Sequence, residues 1–214
     1  MKPNLHQGQR ILRWGADPNQ AELVVILLHG RGATAESMLP LVNVLSEDKI
    51  NFMIPQAGQN RWYPNSAFAP IETNEPDLTF ALELIDSLVA TARHEGFSDK
   101  QIAFGGFSQG ACLALEYVAR TPRRYGGLFA FTGALIGPPD HRREYNGNVE
   151  SMPVFIGGSD VDPWVAHELL IHTAGVFEEL GARVDFRTYP GLPHTINQDE
   201  VDAVCKMLLE AGNS

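Results

Sequence analysis

Ser108 occupies the centre of a G-x-S-x-G pattern that runs from Gly106 to Gly110, between a strand-like run and a helix-like run. In that setting the glycines allow a sharp turn that exposes the serine hydroxyl at a helix N-terminus. The pattern therefore predicts a nucleophile, although a glycine-rich turn with a capping serine is the alternative. A dinucleotide-binding G-x-G-x-x-G pattern is excluded because Phe107 stands where that pattern needs glycine.

A serine nucleophile needs a base, and His194 is the candidate. It lies in "YPGLPHTINQDE", between a predicted strand and the last predicted helix, on a loop where strand ends cluster. An ordinary surface histidine is the alternative. His167 and His172 resemble a zinc-binding helix motif, but a spacing of five residues places them about 140° apart around a helix. We therefore expect no metal there.

The acid that orients the histidine is expected on the loop after the preceding strand, in "PVFIGGSDVDPWV". Asp160 and Asp162 both lie there, and position alone does not choose between them. Two backbone N–H groups are the candidate donors to an oxyanion. They belong to Gln109, which follows the serine, and to Arg31 in "LLHGRGA". An ordinary glycine turn is an equal alternative for the second segment.

These residues need a framework that brings distant loops together, and the chain alternates strand and helix signals. Strand-like runs occupy 9–14, 22–30, 51–56, 101–107, 126–133, 153–159 and 183–191, and helical periodicity occupies 34–48, 75–96, 109–121, 165–181 and 197–212. Continuous apolar strands indicate a sheet covered on both faces. The pattern predicts an α/β protein with a mostly parallel sheet of about seven strands. Segments 57–74 and 134–151 are long irregular loops, a type that is often functional.

Composition limits the possible partners. The 214 residues fit one domain over 1–214, and a net charge of −10 argues against nucleic acid and anionic membranes as partners. Cys112 and Cys205 lie in predicted helices and indicate neither a disulfide framework nor a metal site. No apolar stretch approaches the roughly 18 residues of a membrane span, and residues 1–15 lack a signal-peptide core. We expect a cytoplasmic protein, and the sequence leaves its oligomeric state open.

Four ordered segments resemble the α/β-hydrolase superfamily, and within it the phospholipase/carboxylesterase family. They are "LLHGRGA", "GGFSQGACLALEYV", "GSDVDPWV" and "PGLPHTINQDEVDAV", and the resemblance covers nearly the whole chain. It implies that Asp162, which immediately precedes a proline, is the acid and that Asp160 supports it. It also implies Arg31 and Gln109 as oxyanion donors. Many members carry leucine at the position of Arg31, so the role of this side chain stays open.

The resemblance further implies a fold without a large lid. Acyl-chain contacts are then expected from Trp62 and Phe68 on loop 57–74 and from Trp164 beside the acid, with plain core packing as the alternative for each aromatic residue. The expected activity is hydrolysis of short- to medium-chain carboxylic esters by Ser108, His194 and Asp162, with no cofactor. Thioesterase or lysophospholipase activity would use the same residues. A hydrolase-fold binding protein without turnover is the alternative from another class.

Overall fold

A computed structural model describes residues 3–45, 48–141 and 144–212 of the chain. Its seven strands form one sheet in the order β1-β3-β2-β4-β5-β6-β7. The strands are β1 (Ile11–Gly15), β2 (Leu23–Leu28), β3 (Ile50–Pro55), β4 (Ile102–Phe107), β5 (Gly127–Phe131), β6 (Pro153–Gly158) and β7 (Arg183–Thr188). Only β1 runs antiparallel to its neighbour, so the prediction of a mostly parallel sheet is confirmed.

The central strands are apolar throughout because helices cover both faces of the sheet. Every residue of β2 is buried, and its side chains alternate between two cores. The helices are α1 (Leu39–Leu45), α2 (Asp77–His94), α3 (Gln109–Arg120), α4 (His167–Glu179) and α5 (Gln198–Gly212). Val24 faces the core shared with α2, α3 and α4, whereas Val25 faces the core shared with α1 and α5.

Several predicted elements are shorter in the structure, and each difference leaves residues for a loop. The predicted helix 34–48 is a 3-10 turn, Ala35–Met38, capped by Thr34 and followed by α1. Its positions 46 and 47 lie outside the described residues, as do positions 142 and 143 of the predicted loop 134–151. The strands predicted over 22–30, 153–159 and 183–191 end two, one and three residues early, respectively.

The early ends have a physical consequence for the site. Parallel strands present their carboxyl ends at one edge of the sheet, so the residues released there form neighbouring loops. Strands β2, β4, β6 and β7 all run in this direction and carry the four candidate segments at those ends.

The helices in the described ranges include none with the length and apolar character of a membrane span.

Candidate active site

Ser108 lies in the sharp turn between β4 and α3, which we call the serine elbow (residues 106–110). Its backbone angles are φ 54° and ψ −119°, a conformation that L residues rarely adopt. The Ser108 N–H donates to the Phe131 carbonyl at 2.9 Å, and the Ser108 carbonyl accepts from the Cys112 N–H at 3.0 Å. These bonds to β5 and α3 hold the strained residue in place.

The two glycines of the elbow are required by close backbone packing. A Cβ atom on Gly110 would lie 2.2 Å from the Leu28 carbonyl oxygen, and one on Gly106 would lie 2.5 Å from the Gly110 carbonyl carbon. Both neighbours are backbone atoms, which cannot move aside as a side chain can. The glycines thus bring the elbow against the end of β2, as the sequence pattern predicts.

The structure brings Ser108, His194 and Asp162 together in one hydrogen-bonded line. The Ser108 Oγ lies 2.9 Å from His194 Nε2, and His194 Nδ1 lies 2.7 Å from Asp162 Oδ2. With the proton on Nδ1, neutral His194 donates to Asp162 and accepts from the Ser108 hydroxyl. The Asp162 side chain is inaccessible to solvent, and 19% of the His194 side chain is exposed.

The second oxygen of Asp162 is also satisfied. Its Oδ1 accepts from the N–H groups of Trp164 at 2.7 Å and Val165 at 3.0 Å, so the buried carboxylate has three donors.

Asp160, the other acid considered from the sequence, has a different contact. Its Oδ1 accepts from the Gly191 N–H at 2.8 Å, which connects the loop after β6 to the loop that carries His194.

The candidate oxyanion donors lie beside Ser108 at the same cleft. Arg31 and Gln109 both line it, and within the described ranges neither backbone N–H donates to a protein acceptor. A Cβ atom on Gly30 would lie 3.2 Å from the Phe107 ring, so the loop after β2 approaches the elbow closely. Two N–H groups next to a hydroxyl, a histidine and a buried carboxylate can support acyl transfer.

The cleft has a volume of about 470 Å³ and a mostly apolar lining. Phe68 and Trp164 line it, and Trp164 is 71% exposed at the rim. Trp62 does not line the cleft. Its side chain is fully buried against His29, with ring centroids 5.0 Å apart, and its indole N–H donates to the His29 carbonyl at 2.8 Å. The prediction that Trp62 contacts substrate is therefore wrong, and its side chain instead packs in the core against His29.

Sequence reasoning missed three buried side chains next to the site. His29 Nδ1–H donates to the Gly30 carbonyl at 2.8 Å, its Nε2 accepts from the Ala57 N–H at 3.1 Å, and burial lowers its pKa. Tyr63 and Cys112 lie at the cleft, where burial raises the pKa of the Cys112 thiol to about 12. Only His29, next to Gly30 at a strand end, had a visible sequence signal.

The other histidines do not form a ligand set. His167 Nε2 lies 2.8 Å from Thr188 Oγ1 on β7. Across residues 3–45, 48–141 and 144–212, no group of three or more His, Cys, Asp and Glu side chains could hold a metal ion.

Comparison with known proteins identifies the family of the chain. Residues 15–210 match the family described as Phospholipase/Carboxylesterase. Acyl-protein thioesterase 1 from Saccharomyces cerevisiae is 28% identical over an alignment of 224 residues. The alignment covers 95% of this chain and 99% of that protein. The crystal structure of a phospholipase/carboxylesterase from Dyadobacter fermentans is 41% identical with a TM-score of 0.90, covering 94% of this chain and 97% of that chain.

A more distant structure shows the same fold. The carboxylesterase of Bacillus cereus is 20% identical with a TM-score of 0.75, and the alignment covers 96% of this chain and 95% of that chain. The chain therefore belongs to the phospholipase/carboxylesterase family and is a hydrolase with the α/β-hydrolase fold.

Proposed function

We propose that this protein hydrolyses short- to medium-chain carboxylic esters through an acyl-enzyme intermediate. The observation that carries the proposal is the line from Ser108 Oγ through His194 to the buried Asp162, with distances of 2.9 and 2.7 Å. Ser108 attacks the ester carbonyl while His194 Nε2 takes the hydroxyl proton. The buried Asp162 carboxylate keeps the imidazole oriented and stabilises the imidazolium that forms.

The remaining steps use the same groups. The backbone N–H groups of Arg31 and Gln109 donate to the oxyanion of the tetrahedral intermediate, since neither has a protein acceptor within the described ranges. His194 then returns its proton to the leaving alcohol, and the acyl group stays on Ser108. A water molecule, deprotonated by His194, then attacks the acyl carbon. The bond between that carbon and Ser108 Oγ breaks as His194 returns the proton to Oγ, and the carboxylic acid is released.

The cleft supports a preference for shorter acyl chains. At about 470 Å³ it accommodates a small to medium ester, and Phe68, Val165 and Trp164 give it apolar walls. The exposed Trp164 side chain would cover an acyl chain at the rim. Phe68 and Trp164 are accordingly proposed as substrate contacts.

Thioester hydrolysis is the second candidate, and the similarity to acyl-protein thioesterase 1 favours it. Because the same nucleophile, base and oxyanion donors would act on a thioester, the site geometry does not separate the two substrates. Values of kcat/KM on oxygen esters and thioesters of the same acyl chain would separate them. Lysophospholipase activity would be tested in the same way with a single-chain phospholipid.

Replacement of Ser108 tests the proposal. We expect Ser108→Ala to lower kcat on p-nitrophenyl butyrate by at least about 10³-fold, because the nucleophile is lost while the fold is kept. Ser87→Ala is the control, since Ser87 is exposed on α2 and its hydroxyl donates to the Leu84 carbonyl at 2.7 Å. A Ser108→Ala protein with wild-type turnover would overturn the assignment.

We also propose that residues 1–214 act as one catalytic domain in the cytoplasm. The family match spans 15–210, and Cys112 and Cys205 are both free thiols, as is usual in a reducing compartment. Fractionation of cells expressing the native chain tests the location. Recovery of the protein outside the cytoplasmic fraction would contradict it.

A further inference from the structure

The Arg31 side chain crosses from the loop after β2 to the opposite side of the cleft mouth. Its guanidinium donates to three consecutive backbone carbonyls, with distances of 2.9 Å to Pro64 and 3.1 Å to Tyr63, and it also bonds the carbonyl of Asn65. The planar, forked arrangement of its donors allows this multiple contact. The guanidinium thus donates to three protein carbonyls, whereas a solvated surface arginine would donate to water instead.

The segment that Arg31 holds forms one side of the cleft. Residues 63–68, which we call the cleft wall, all line the cleft, from Tyr63 to Phe68. The wall is irregular backbone without a helix or strand of its own, so its position depends on bonds to neighbouring elements. The fully buried Asn74 provides some of them, accepting from the Asn65 N–H at 2.8 Å and donating to the Ser66 carbonyl at 2.9 Å.

Gln109 holds the wall from the elbow. Its side-chain Nε2 donates to the Tyr63 carbonyl at 2.9 Å, and its Oε1 accepts from the Trp62 N–H at 3.0 Å. The Tyr63 carbonyl therefore accepts from both Gln109 and Arg31. The backbone N–H groups of the same two residues are the proposed oxyanion donors. The Tyr63 carbonyl of the cleft wall is therefore bonded by the side chains of both proposed donor residues.

We propose that the Arg31 side chain is a positioning residue that fixes the cleft wall against the loop after β2 and thereby determines how well longer acyl chains bind. This inference rests on the proposed ester hydrolysis. An acetyl group at Ser108 does not extend along the wall, whereas a longer chain must pack against it. The backbone N–H of Arg31 is present whatever the side chain, so the oxyanion contact survives replacement of the guanidinium.

The contacts favour positioning over binding of a charged substrate. No carboxylate within the described ranges pairs with Arg31, and the three carbonyl dipoles act in place of a counter-ion. Lysine would keep the charge but not the planar fork, so it cannot hold three carbonyls in the same way. Arg31→Lys therefore separates the geometry of the contact from its charge.

The test compares p-nitrophenyl acetate with p-nitrophenyl hexanoate. For Arg31→Lys and Arg31→Leu we expect the ratio of kcat/KM on the hexanoate to kcat/KM on the acetate to fall about tenfold, mainly through a higher KM for the hexanoate. Arg183→Leu is the control, because Arg183 lies on the surface of β7, where it pairs with Glu210 at 3.4 Å. This control should keep the wild-type ratio of the two substrates.

Two further measurements distinguish positioning from general damage to the fold. Millimolar guanidinium chloride, but not sodium chloride, should restore part of the hexanoate activity of Arg31→Ala. Hydrogen exchange of a peptide covering 63–68 should be faster in Arg31→Leu, and this readout does not depend on turnover.

Three results would overturn the inference. They are a wild-type substrate ratio in Arg31→Lys, an equal loss on both esters without rescue, and unchanged exchange of the cleft wall. A wild-type protein without ester turnover would instead contradict the proposed function, and the exchange measurement would still decide the position of the wall.

Discussion

The serine elbow lies on β4 near the centre of the sheet, whereas the loops that carry Asp162 and His194 follow β6 and β7 at one side. The elbow is enclosed by backbone, because Gly106 and Gly110 contact main-chain atoms of α3 and β2. The two loops, residues 159–166 and 189–197, are partly exposed and are connected through hydrogen bonds of side chains, among them the bond from Gly191 to Asp160.

This difference separates two ways of placing a reactive group. At the elbow the position of Ser108 is set by the packing of Gly106 and Gly110 against backbone, so a change to either glycine acts on stability first. At the two loops a few hydrogen bonds set the position of His194, so a change there acts on activity with a smaller effect on stability. The following predictions test this division.

The largest effect is expected at the elbow. Gly110→Ala should lower the free energy of unfolding by at least about 3 kcal/mol, or abolish folding, because the new Cβ atom would lie 2.2 Å from the Leu28 carbonyl oxygen. Denaturant unfolding measures the change. Gly175→Ala in α4 is the matched control, since nothing lies within 4 Å of its added Cβ atom. It should stabilise the protein by up to about 1 kcal/mol, and an equal loss in both variants would contradict the packing argument.

A smaller effect is expected from Glu200, whose helix α5 begins just after the His194 loop. Glu200 is fully buried, and its Oε2 accepts from the Asn197 N–H at 2.9 Å. Burial raises the pKa of Glu200 from the ordinary 4.5 to about 7. Between these values the folded state binds the proton more tightly than the unfolded state, so the contribution of Glu200 to stability is lost as the pH rises.

Unfolding measured from pH 4.5 to 8 tests this titration. The free energy of unfolding of the wild type, relative to Glu200→Gln, should fall by about 2 to 3 kcal/mol over that range. Burial lowers the pKa of His6 and His29, so these two residues favour folding as the pH rises through 6.5. Their effect is common to both proteins and cancels in the difference. Parallel curves would show that Glu200 does not titrate in this range.

The smallest effect is expected at Asp160. Asp160→Ala removes the acceptor of the Gly191 N–H, three residues before His194. We expect kcat to fall about fivefold to tenfold and the free energy of unfolding by no more than about 1 kcal/mol. Asp160→Asn keeps an acceptor oxygen and should retain most of the activity. A stability loss in Asp160→Ala without a change in kcat would show that this contact does not position His194.

Much of the site was predictable because its residues follow strands of a parallel sheet. The elbow pattern lies between a strand-like run and a helix-like run, so Ser108 could be placed from its immediate neighbours in the sequence. His194 and an acid on the loop after β6 could be predicted because strand ends gather at one edge, whereas the choice of Asp162 over Asp160 depended on the family resemblance. Their proximity to Ser108 is a property of the folded sheet, and the structure provides the distances.

The contacts of loop 57–74 could not be predicted, because they depend on tertiary structure without a periodic signal. Trp62 was expected at the cleft, but its indole N–H finds the His29 carbonyl, which places the ring in the core. The Gln109 side chain and the Arg31 guanidinium both reach the Tyr63 carbonyl, more than thirty residues from either in sequence. Nothing in the sequence near 31 or 109 indicates that shared acceptor.

Covalent labelling with a fluorophosphonate is the sharpest test of Ser108 as the nucleophile, because the probe reacts with a serine activated by a base. The labelled site is identified by mass spectrometry of the digested protein, with Ser108→Ala as the control. We expect one adduct, on Ser108, that is absent from Ser108→Ala. A folded wild-type protein that forms no adduct, or that carries the adduct on another residue, would contradict it.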